Sequence, residues 1–408
     1  MTSGRITEWR KLPVALTELC LATTLRCGQS FRWKQCPDDT WACSLRGRIV
    51  QLAQEPSYVK YRSIWPSAVE APPTPPSSAP PTEAGDEGDD TLDLLYHYLN
   101  LQPNLTQLYE QWSAADANFR KKAPKFTGVR ILRQDAWEAL ICFICSSNNN
   151  ISRIMQMVDK LCLHYGPYVA TLDGRAYHDF PQPSALTGEK VEAHLRELGF
   201  GYRGRFIVET ARVIANDREP GWLDSLRNPE SPAFGQRSSP AGQWKTEGRD
   251  GYRTAHEELL QLLGVGAKVA DCACLMGLGW GEAVPIDTHV WQIAVRDYKF
   301  GKGKHSSLTK ATYDSVANHF RKLWGQEAGW AHSVLFTADL RAFSERLTAK
   351  TEVKVEVKEE DVVVKVEAVE RKVRVGVKRE NEDERVMLEL DEVKVSSSER
   401  VKRRRRAR

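Results

Sequence analysis

The 408-residue sequence contains no run of about 18 apolar residues, the length that a transmembrane helix requires. Its first residues also lack the basic start, apolar stretch and small-residue cleavage site of a secretory signal peptide. The nine cysteines therefore need not pair, and we expect reduced thiols in an intracellular compartment. With 41% hydrophobic and 27% charged residues, the composition predicts a soluble globular protein of two or three structural units, with no membrane partner.

Two stretches lack the residues that a packed core needs. Residues 66–90 contain seven prolines and six acidic residues but no lysine or arginine, and residues 347–408 contain no aromatic residue. Neither composition can bury enough apolar surface to offset the entropy lost on ordering the chain. We therefore predict a disordered insertion at 66–90 and a disordered charged tail at 347–408, which ends in the basic cluster 402–406.

Charge is unevenly distributed along the chain. The net charge is +4, but outside the insertion and residues 350–408 the chain carries 40 basic and 33 acidic residues. A basic body is compatible with nucleic acid as partner, although an ordinary basic enzyme has the same balance. The cluster 402–406 is typical of nuclear import or of nonspecific nucleic-acid contact, with a merely solvated charge run as the alternative. The basic tail favours the nucleus, whereas the short N-terminus says little about mitochondrial targeting.

The hydrophobic pattern changes from strand-like to helical along the chain. Short pieces at Ser30–Trp33, Trp41–Leu45 and Ile49–Leu52, separated by glycine and turn residues, predict that residues 1–65 form mostly sheet. From Thr91 to about Arg346, apolar residues recur at helical spacing. The sequence therefore predicts an α+β fold.

These patterns also set domain boundaries. We predict an N-terminal sheet domain at 1–104, which carries the insertion, and a helical domain at 105–346. Residues 228–249 are rich in Ser, Pro and Gly without helical period, so we expect a loop insertion within the helical domain.

The most informative pattern is a pair of helices joined by a glycine hairpin. An amphipathic helix ends within 258–263, Gly264-Val265-Gly266 follows, and Lys268 opens a second helix. The two glycines allow close approach of a ligand, and the free N–H groups at the start of the second helix form a natural phosphate site. A plain turn between helices is the alternative.

Asp287 directly precedes an apolar periodic run and so lies at the N-cap of a further helix, where a carboxylate is favoured. This makes it a candidate anion beside Lys268. A desolvated lysine can act as an amine nucleophile, and an amine that attacks the anomeric carbon of a deoxyribose expels the base and forms a Schiff base. An adjacent carboxylate stabilises the positive charge that develops on the sugar. The alternatives are a simple helix cap for Asp287 and a solvated surface lysine for Lys268.

Five segments of the sequence form a distinctive set. In chain order they are Cys27-Gly28-Gln29-Ser30-Phe31-Arg32-Trp33, Ile144-Cys145-Ser146-Ser147-Asn148-Asn149-Asn150-Ile151, Leu198-Gly199-Phe200-Gly201-Tyr202-Arg203, Gly264-Val265-Gly266-Ala267-Lys268-Val269-Ala270-Asp271-Cys272 and Val284-Pro285-Ile286-Asp287-Thr288-His289. This set resembles, in the same order, the motifs of the helix-hairpin-helix DNA glycosylases, specifically the eukaryotic 8-oxoguanine DNA glycosylase/AP lyase family. The resemblance covers roughly residues 8–345 and implies a TATA-binding-protein-like antiparallel sheet packed on a helical body.

By this resemblance, Lys268 is the nucleophile and Asp287 the carboxylate that supports it. The flipped base would lie between Cys272 and Phe336, and the carbonyl of Gly28 would accept a hydrogen bond from the N7–H that distinguishes 8-oxoguanine from guanine. A bend in a strand is the alternative for Gly28. The full set of implied base-binding residues is Gly28, Cys272, Met276, His332 and Phe336.

The resemblance also implies contacts with double-stranded DNA. Tyr202 would wedge into the base stack, while Asn148, Arg153 and Arg203 would read the cytosine left opposite the lesion. The ordinary alternatives are a core tyrosine, surface arginines and an asparagine at a helix-terminal turn. Contacts with phosphates are implied for Gly264, Gly266 and His289.

This chain departs from the family at two positions. His332 stands where the best-known members carry glutamine, which changes the groups offered to the Watson–Crick edge of the flipped base. Leu263 stands where the hairpin usually has proline. His332 would decide between 8-oxoguanine and another oxidised base.

No cysteine follows Cys274, so the iron–sulfur cluster of related glycosylases is not expected. Cys142 and Cys145 form a CxxC pair, but without a second pair they indicate core thiols rather than a metal site. We expect no cofactor, although a monovalent cation at the hairpin is compatible with the family.

The sequence thus predicts a monomeric glycosylase/lyase that excises 8-oxoguanine, and also formamidopyrimidine lesions, opposite cytosine in base-excision repair. One alternative is a glycosylase of the same superfamily with another oxidised base as substrate. The other is a noncatalytic helix-hairpin-helix DNA-binding module, which would need neither Lys268 nor Asp287.

Overall fold

The computed structural model describes residues 4–66, 89–301 and 307–343. Nearly all of the predicted insertion at 66–90 and the whole tail at 347–408 lie outside these ranges. Within them, no helix combines the length and apolar character needed to span a bilayer.

The described residues form eight strands and fourteen α-helices. The strands are β1 (Arg5–Ile6), β2 (Arg10–Pro13), β3 (Lys34–Gln35), β4 (Trp41–Leu45), β5 (Arg48–Gln54), β6 (Tyr58–Trp65), β7 (Tyr168–Leu172) and β8 (Arg175–His178). The helices are α1 (Leu21–Thr24), α2 (Thr91–Tyr98), α3 (Leu105–Ala115), α4 (Ala117–Lys122), α5 (Ala136–Ile144), α6 (Ile151–Tyr165), α7 (Val191–Glu197), α8 (Arg203–Arg212), α9 (Trp222–Ser225), α10 (Asp250–Leu260), α11 (Ala267–Met276), α12 (Thr288–Tyr298), α13 (Lys310–Trp324) and α14 (Ala328–Asp339).

The N-terminal sheet is antiparallel, with strand order β1-β6-β5-β4-β3 and with β2 also paired to β6. Arg46 and Gly47 join β4 to β5 with φ angles of 51° and 79°, the left-handed pair typical of a two-residue hairpin. Alternate residues point to opposite faces: Cys43 packs with Tyr98 of α2, whereas Ala42 packs with Val169 of β7. Both faces of the sheet are therefore covered, and the predicted α+β fold is confirmed.

Two details of the secondary structure differ from the prediction. Ser30–Trp33 is a buried loop rather than a strand, because Phe31 and Arg32 enter the helical body; only Lys34–Gln35 pairs with β4. The second difference is the hairpin of β7 and β8 inside the predicted helical region, whose turn Asp173-Gly174 has φ angles of 50° and 78°. An Asp-Gly pair between two short apolar runs is a strong hairpin signal that helical spacing on either side obscured.

Buried Arg32 joins the sheet to the helical body. Its guanidinium donates to Glu138 Oε2 of α5 at 2.7 Å and to the carbonyl oxygens of Ser44 and His178 at 2.7 and 3.2 Å. Each partner lies on a different element, so this one side chain fixes α5 against β4 and β8.

The helical body is centred on α5, all of whose residues are buried. It packs closely against α11, because Gly277 at the end of α11 leaves no room for a side chain: a Cβ there would lie 2.9 Å from Ala139 Cβ. This contact brings the end of α5 next to the start of α11.

Residues 228–249 contain no helix or strand. Buried Arg249 pairs with Glu282 at 2.8 Å and with Glu230 at 2.6 Å, so both ends of this loop are held against the helical body.

Candidate active site

The glycine hairpin lies between α10 and α11 and fixes where α11 begins. Gly264 has a φ of +82°, and a Cβ at this position would lie 2.3 Å from the ring of Phe206. Gly266 has an ordinary φ of −95°, borders open space and is the N-cap of α11 without a side-chain cap. The first N–H groups of α11 are thus left without a capping side chain. The preceding helix ends at Leu260, within the predicted range, and Leu263 lies in the turn with 42% of its surface exposed.

Lys268 lies in the first turn of α11 and is half-buried rather than a solvated surface lysine. Its Nζ donates a hydrogen bond to Ser146 Oγ at 2.8 Å and lies 5.2 Å from the centroid of the Phe143 ring. The amine is therefore held against the end of α5.

Asp287 is the N-cap of α12, as predicted: its Oδ1 accepts a hydrogen bond from the Val290 N–H at 2.8 Å. The loop before it is buried, and the Ile286 N–H donates to the Tyr313 hydroxyl at 3.2 Å. The backbone that carries Asp287 is thus fixed on both sides.

A buried carboxylate links these two regions. Asp271 of α11 accepts hydrogen bonds from the hydroxyls of Tyr252 and Tyr313, and Tyr313 in turn holds the Ile286 N–H. Burial raises the pKa of Asp271, which the two donors oppose. Sequence reasoning missed this residue, although an acidic residue among the apolar positions of α11 was the available signal.

One face of α11 carries three of the predicted residues at intervals of four: Lys268, Cys272 and Met276. Cys272 and Met276 are buried. Burial raises the pKa of the Cys272 thiol to about 12, so it remains protonated beside Lys268.

The start of α12 and the middle of α14 supply the predicted aromatic residues. The rings of His289 and Phe336 meet edge to face with centroids 5.2 Å apart, and the His332 and Phe336 centroids are 6.5 Å apart. His289 Nε2 lies 3.2 Å from Asp339 Oδ2 at the end of α14.

His332 is 6% exposed, and neither of its ring nitrogens has a hydrogen-bond partner among the described residues. Burial lowers its pKa to about 4, which the Asp287 carboxylate opposes, so the imidazole is neutral at pH 7. A neutral imidazole offers one donor and one acceptor, and both are unused here.

Gly28 lies in a turn between α1 and β3, not in a strand as its alternative reading required. Its φ is +83°. A Cβ added at this position would lie 2.9 Å from the Cδ1 atom of Ile151, which is the first residue of α6. The turn thus lies directly against the asparagine-rich segment.

The asparagine segment and the segment before α8 meet at the protein surface. Asn148 is exposed, with a left-handed φ of 47°, and Tyr202 is 49% exposed, which excludes a core role for it. The Tyr202 hydroxyl donates to the Ser147 carbonyl at 3.3 Å.

Arg203 is only 4% exposed and donates to the carbonyls of Ser147 and Asn148. It is therefore neither a surface charge nor free to bind a ligand in this structure. Arg153, by contrast, is exposed at the start of α6. Asn150, which sequence reasoning left without a role, caps α6 by accepting from the Arg153 N–H at 2.9 Å.

Comparisons with known proteins show the family of this chain. A family described as 8-oxoguanine DNA glycosylase, N-terminal domain, matches residues 11–140, and the HhH-GPD superfamily of base excision DNA repair proteins matches residues 141–325. The chain is 37% identical over 366 residues to the N-glycosylase/DNA lyase of Saccharomyces cerevisiae, covering 84% of this chain and 89% of the yeast protein. The chain belongs to the 8-oxoguanine DNA glycosylase family.

A plant protein is similar to this chain in sequence, and a bacterial enzyme is similar to it in fold. The N-glycosylase/DNA lyase OGG1 of Arabidopsis thaliana is 35% identical over 347 residues, which are 82% of this chain and 81% of the plant protein. The 8-oxoguanine glycosylase/lyase of Clostridium acetobutylicum in its apo form shares the fold, with a TM-score of 0.60 at 22% identity over 83% of this chain and 98% of that one. The same bacterial enzyme in complex with dsDNA containing cytosine opposite 8-oxoG gives a TM-score of 0.59 at 22% identity, over 80% and 92% of the two chains.

In this glycosylase, the structure gathers residues from distant parts of the sequence into two groups. One group links the face of α11 that carries the amine to the start of α12 and to α14: Lys268, Cys272, Met276, Asp287, His289, His332 and Phe336. The other lies where the asparagine segment meets α8: Asn148, Arg153, Tyr202 and Arg203. The hydrogen bond between Lys268 and Ser146 connects the groups, because Ser146 precedes Asn148 by two residues.

Proposed function

We propose that this protein is a bifunctional DNA N-glycosylase and AP lyase that removes 8-oxoguanine opposite cytosine from double-stranded DNA. The observation that carries the proposal is the half-buried Lys268 amine at the uncapped start of α11. The charges of both Lys268 and Asp287 act on the neighbouring Cys272 thiol. The yeast and plant relatives carry the name N-glycosylase/DNA lyase, which supports the reaction class.

In the first step, the lone pair of the Lys268 amine forms a bond to C1′ of the damaged nucleotide. The bond between C1′ and N9 breaks, its electron pair leaves with the base, and the nitrogen gives up a proton. Positive charge develops on the sugar as this bond breaks, and the Asp287 carboxylate stabilises it. Asp287 is held for this task by its bond to the Val290 N–H.

In the second step, ring opening converts the adduct into a Schiff base. Loss of a proton from C2′ sends its electrons toward the cationic nitrogen, and the bond between C3′ and the phosphate oxygen breaks. The strand is nicked by this β-elimination, and water releases Lys268. The chemistry requires no cofactor, and we propose that the protein uses none.

The flipped base would be enclosed by the group on α11 and α14. Cys272 and Phe336 would cover its two faces, Met276 would line the pocket, and the Gly28 carbonyl would accept from N7–H. The unused donor and acceptor of His332 are available to the Watson–Crick edge. Formamidopyrimidine retains the purine's Watson–Crick groups, so we include it as a substrate.

A second candidate function is excision of another oxidised purine. The observation that favours it is the orphaned, neutral imidazole of His332, which differs in reach and in donor count from the amide of glutamine.

DNA would be held at two places. The free N–H groups that follow Gly264 and Gly266 would bind a phosphate, as would His289. Exposed Tyr202 would fill the space of the extruded base, with Asn148, Arg153 and Arg203 around the opposite cytosine. For Arg203 this requires exchange of its present carbonyl partners for the base. We propose that a monomer suffices for this arrangement.

Borohydride trapping tests the chemistry. Wild-type protein and Lys268→Gln, the amine-free variant, are each incubated with duplexes that carry 8-oxoguanine, formamidopyrimidine, another oxidised base or guanine opposite cytosine. We expect a covalent adduct only for wild type, and only with 8-oxoguanine and formamidopyrimidine. An adduct only with a different oxidised base would favour the second candidate, and no adduct with any of them, while DNA binding persists, would leave a noncatalytic DNA-binding module.

We also propose that the protein acts in the nucleus, directed by the basic cluster 402–406. A fluorescent fusion of the full chain should accumulate there, whereas replacement of the five basic residues by alanine should spread it through the cell. Mitochondrial signal in both fusions would contradict a purely nuclear assignment.

A further inference from the structure

The turn directly after α5 carries a serine that contacts the amine and that the reaction described above does not use. Ser146 Oγ lies 2.8 Å from Lys268 Nζ, across 122 residues of sequence. We infer that Ser146 is a positioning residue that holds the Lys268 amine for attack on C1′. This inference rests on the proposed function, since it concerns the same amine.

The hydroxyl of Ser146 already donates its hydrogen to another group, which fixes the direction of its bond with Lys268. Its hydrogen is donated to the Phe143 carbonyl at 2.7 Å, and the Ser146 backbone N–H donates to the same carbonyl at 3.1 Å. A hydroxyl has one hydrogen and two acceptor sites. Because its hydrogen is already committed, Ser146 can only accept from Lys268.

This direction suits a nucleophile. An amine that donates one N–H to Ser146 keeps its lone pair free, whereas a donor at this place would bond to the lone pair and block attack. Ser146 therefore fixes the position of the nitrogen without occupying the electrons that form the new bond.

The Cys272 thiol, one turn further along α11, is a second and weaker hydrogen-bond partner of the amine. The remaining restraint on the lysine side chain comes from packing. The Phe143 ring, buried in α5, lies 5.2 Å from Nζ, and the close contact of α5 with α11 at Gly277 sets the distance between the two helices. Lysine has a flexible four-carbon stem, so without Ser146 the nitrogen would sample several positions. Misplacement of a reacting group by about 1 Å can cost about 100-fold in rate.

The test compares Ser146→Ala with Ser146→Thr, which keeps a hydroxyl. Single-turnover base excision is measured with 8-oxoguanine opposite cytosine, and Schiff-base formation with a preformed abasic site, where no base needs to be recognised. We expect alanine to slow both reactions by about 10- to 100-fold with little change in DNA affinity, and threonine to restore most of the rate.

Ser225→Ala is the matched control. Ser225 makes the same local bond at the end of a helix, from its hydroxyl to the Trp222 carbonyl at 2.6 Å, but it is exposed. Its replacement should leave both rates at the wild-type value, which separates the loss of a helix-end bond from the loss of the contact with Lys268.

Each result has a distinct meaning. Equal rates for wild type and Ser146→Ala would overturn the inference, as would a loss that threonine does not restore or one that follows a fall in DNA affinity or melting temperature. If wild type itself gives no trapped adduct with the lesion or the abasic site, the proposed function fails, whatever the Ser146 variants do.

Discussion

Single side chains in this protein take their properties from burial rather than from sequence position. His332 shows this most clearly: the sequence marks it as a departure from glutamine, but only the structure shows that both ring nitrogens lack partners and that burial lowers its pKa to about 4. The role of Ser146 could not be predicted from sequence, because it depends on a contact with a residue far away in the chain. For Asp271 the sequence offered an acidic residue among apolar positions, but its tyrosine partners are visible only in the structure.

The lowered pKa of His332 has a consequence for stability. An unfolded histidine takes up a proton near pH 6.5, but the folded protein does so only near pH 4, so the unfolded state binds more protons between these values. The free energy of unfolding should therefore fall as pH drops through this window, by about 3 kcal/mol from this residue.

Replacement of His332 by glutamine removes this titration. Between pH 7 and pH 5 the free energy of unfolding of His332→Gln should fall less than that of wild type, by about 2 kcal/mol. Urea unfolding followed by tryptophan fluorescence measures it at each pH. Half-buried His97, whose pKa is also lowered to about 4, is present in both proteins and cancels in the comparison. If the free energy of unfolding fell equally with pH in the two proteins, the lowered pKa of His332 would be contradicted.

At the scale of elements, the hairpin between α10 and α11 was predicted because glycine spacing and helical period are local signals. The hairpin of β7 and β8 was not predicted, although Asp173-Gly174 marked it, because it interrupts a region whose apolar residues recur at helical spacing. The buried loop at Ser30–Trp33 has a strand-like composition, and tertiary contacts of Arg32 decide its course. Local patterns thus predicted the elements that carry Lys268 and Asp287 better than those that support them.

The two hairpin glycines should respond differently to alanine. Gly264→Ala should lower the free energy of unfolding by about 2 kcal/mol or more, because its φ of +82° is unfavourable for alanine and its Cβ would clash with Phe206. Gly266→Ala should change it by less than about 1 kcal/mol, since its φ is ordinary and the space around it is open. Chemical unfolding of both variants measures the difference, and equal losses would show that the hairpin does not depend on Gly264.

At the scale of the whole molecule, a buried ion pair between Arg32 and Glu138 joins the N-terminal sheet to the helical body. Glu138 is on α5, the same helix whose end contacts Lys268, and Arg32 reaches it from the loop before β3. The sequence indicated both layers but not this connection, since nothing in the local pattern around residue 32 pairs it with residue 138.

Removal of Arg32 should therefore affect the entire fold. Arg32→Met leaves Glu138 buried and unpaired, and we expect a loss of about 3–5 kcal/mol in the free energy of unfolding. Arg175→Met is the control: it breaks an ion pair with Asp159 in which both side chains are nearly half exposed, at a cost of about 1 kcal/mol or less. Similar losses in the two variants would show that the buried pair does not join the layers.

The burial of the cysteines affects how readily oxidants react with them. Of the nine thiols, only that of Cys36 is not buried, and burial raises the pKa of the Cys27 thiol to about 11 and those of Cys43, Cys145, Cys162 and Cys272 to about 12. Peroxide attacks thiolates, not thiols, so these side chains offer it almost no reactive form. A native-state thiol titration should find Cys36 as the main reactive site. A protein that removes oxidised bases works where oxidants are present, and this packing lets it endure the same chemistry that creates its substrate.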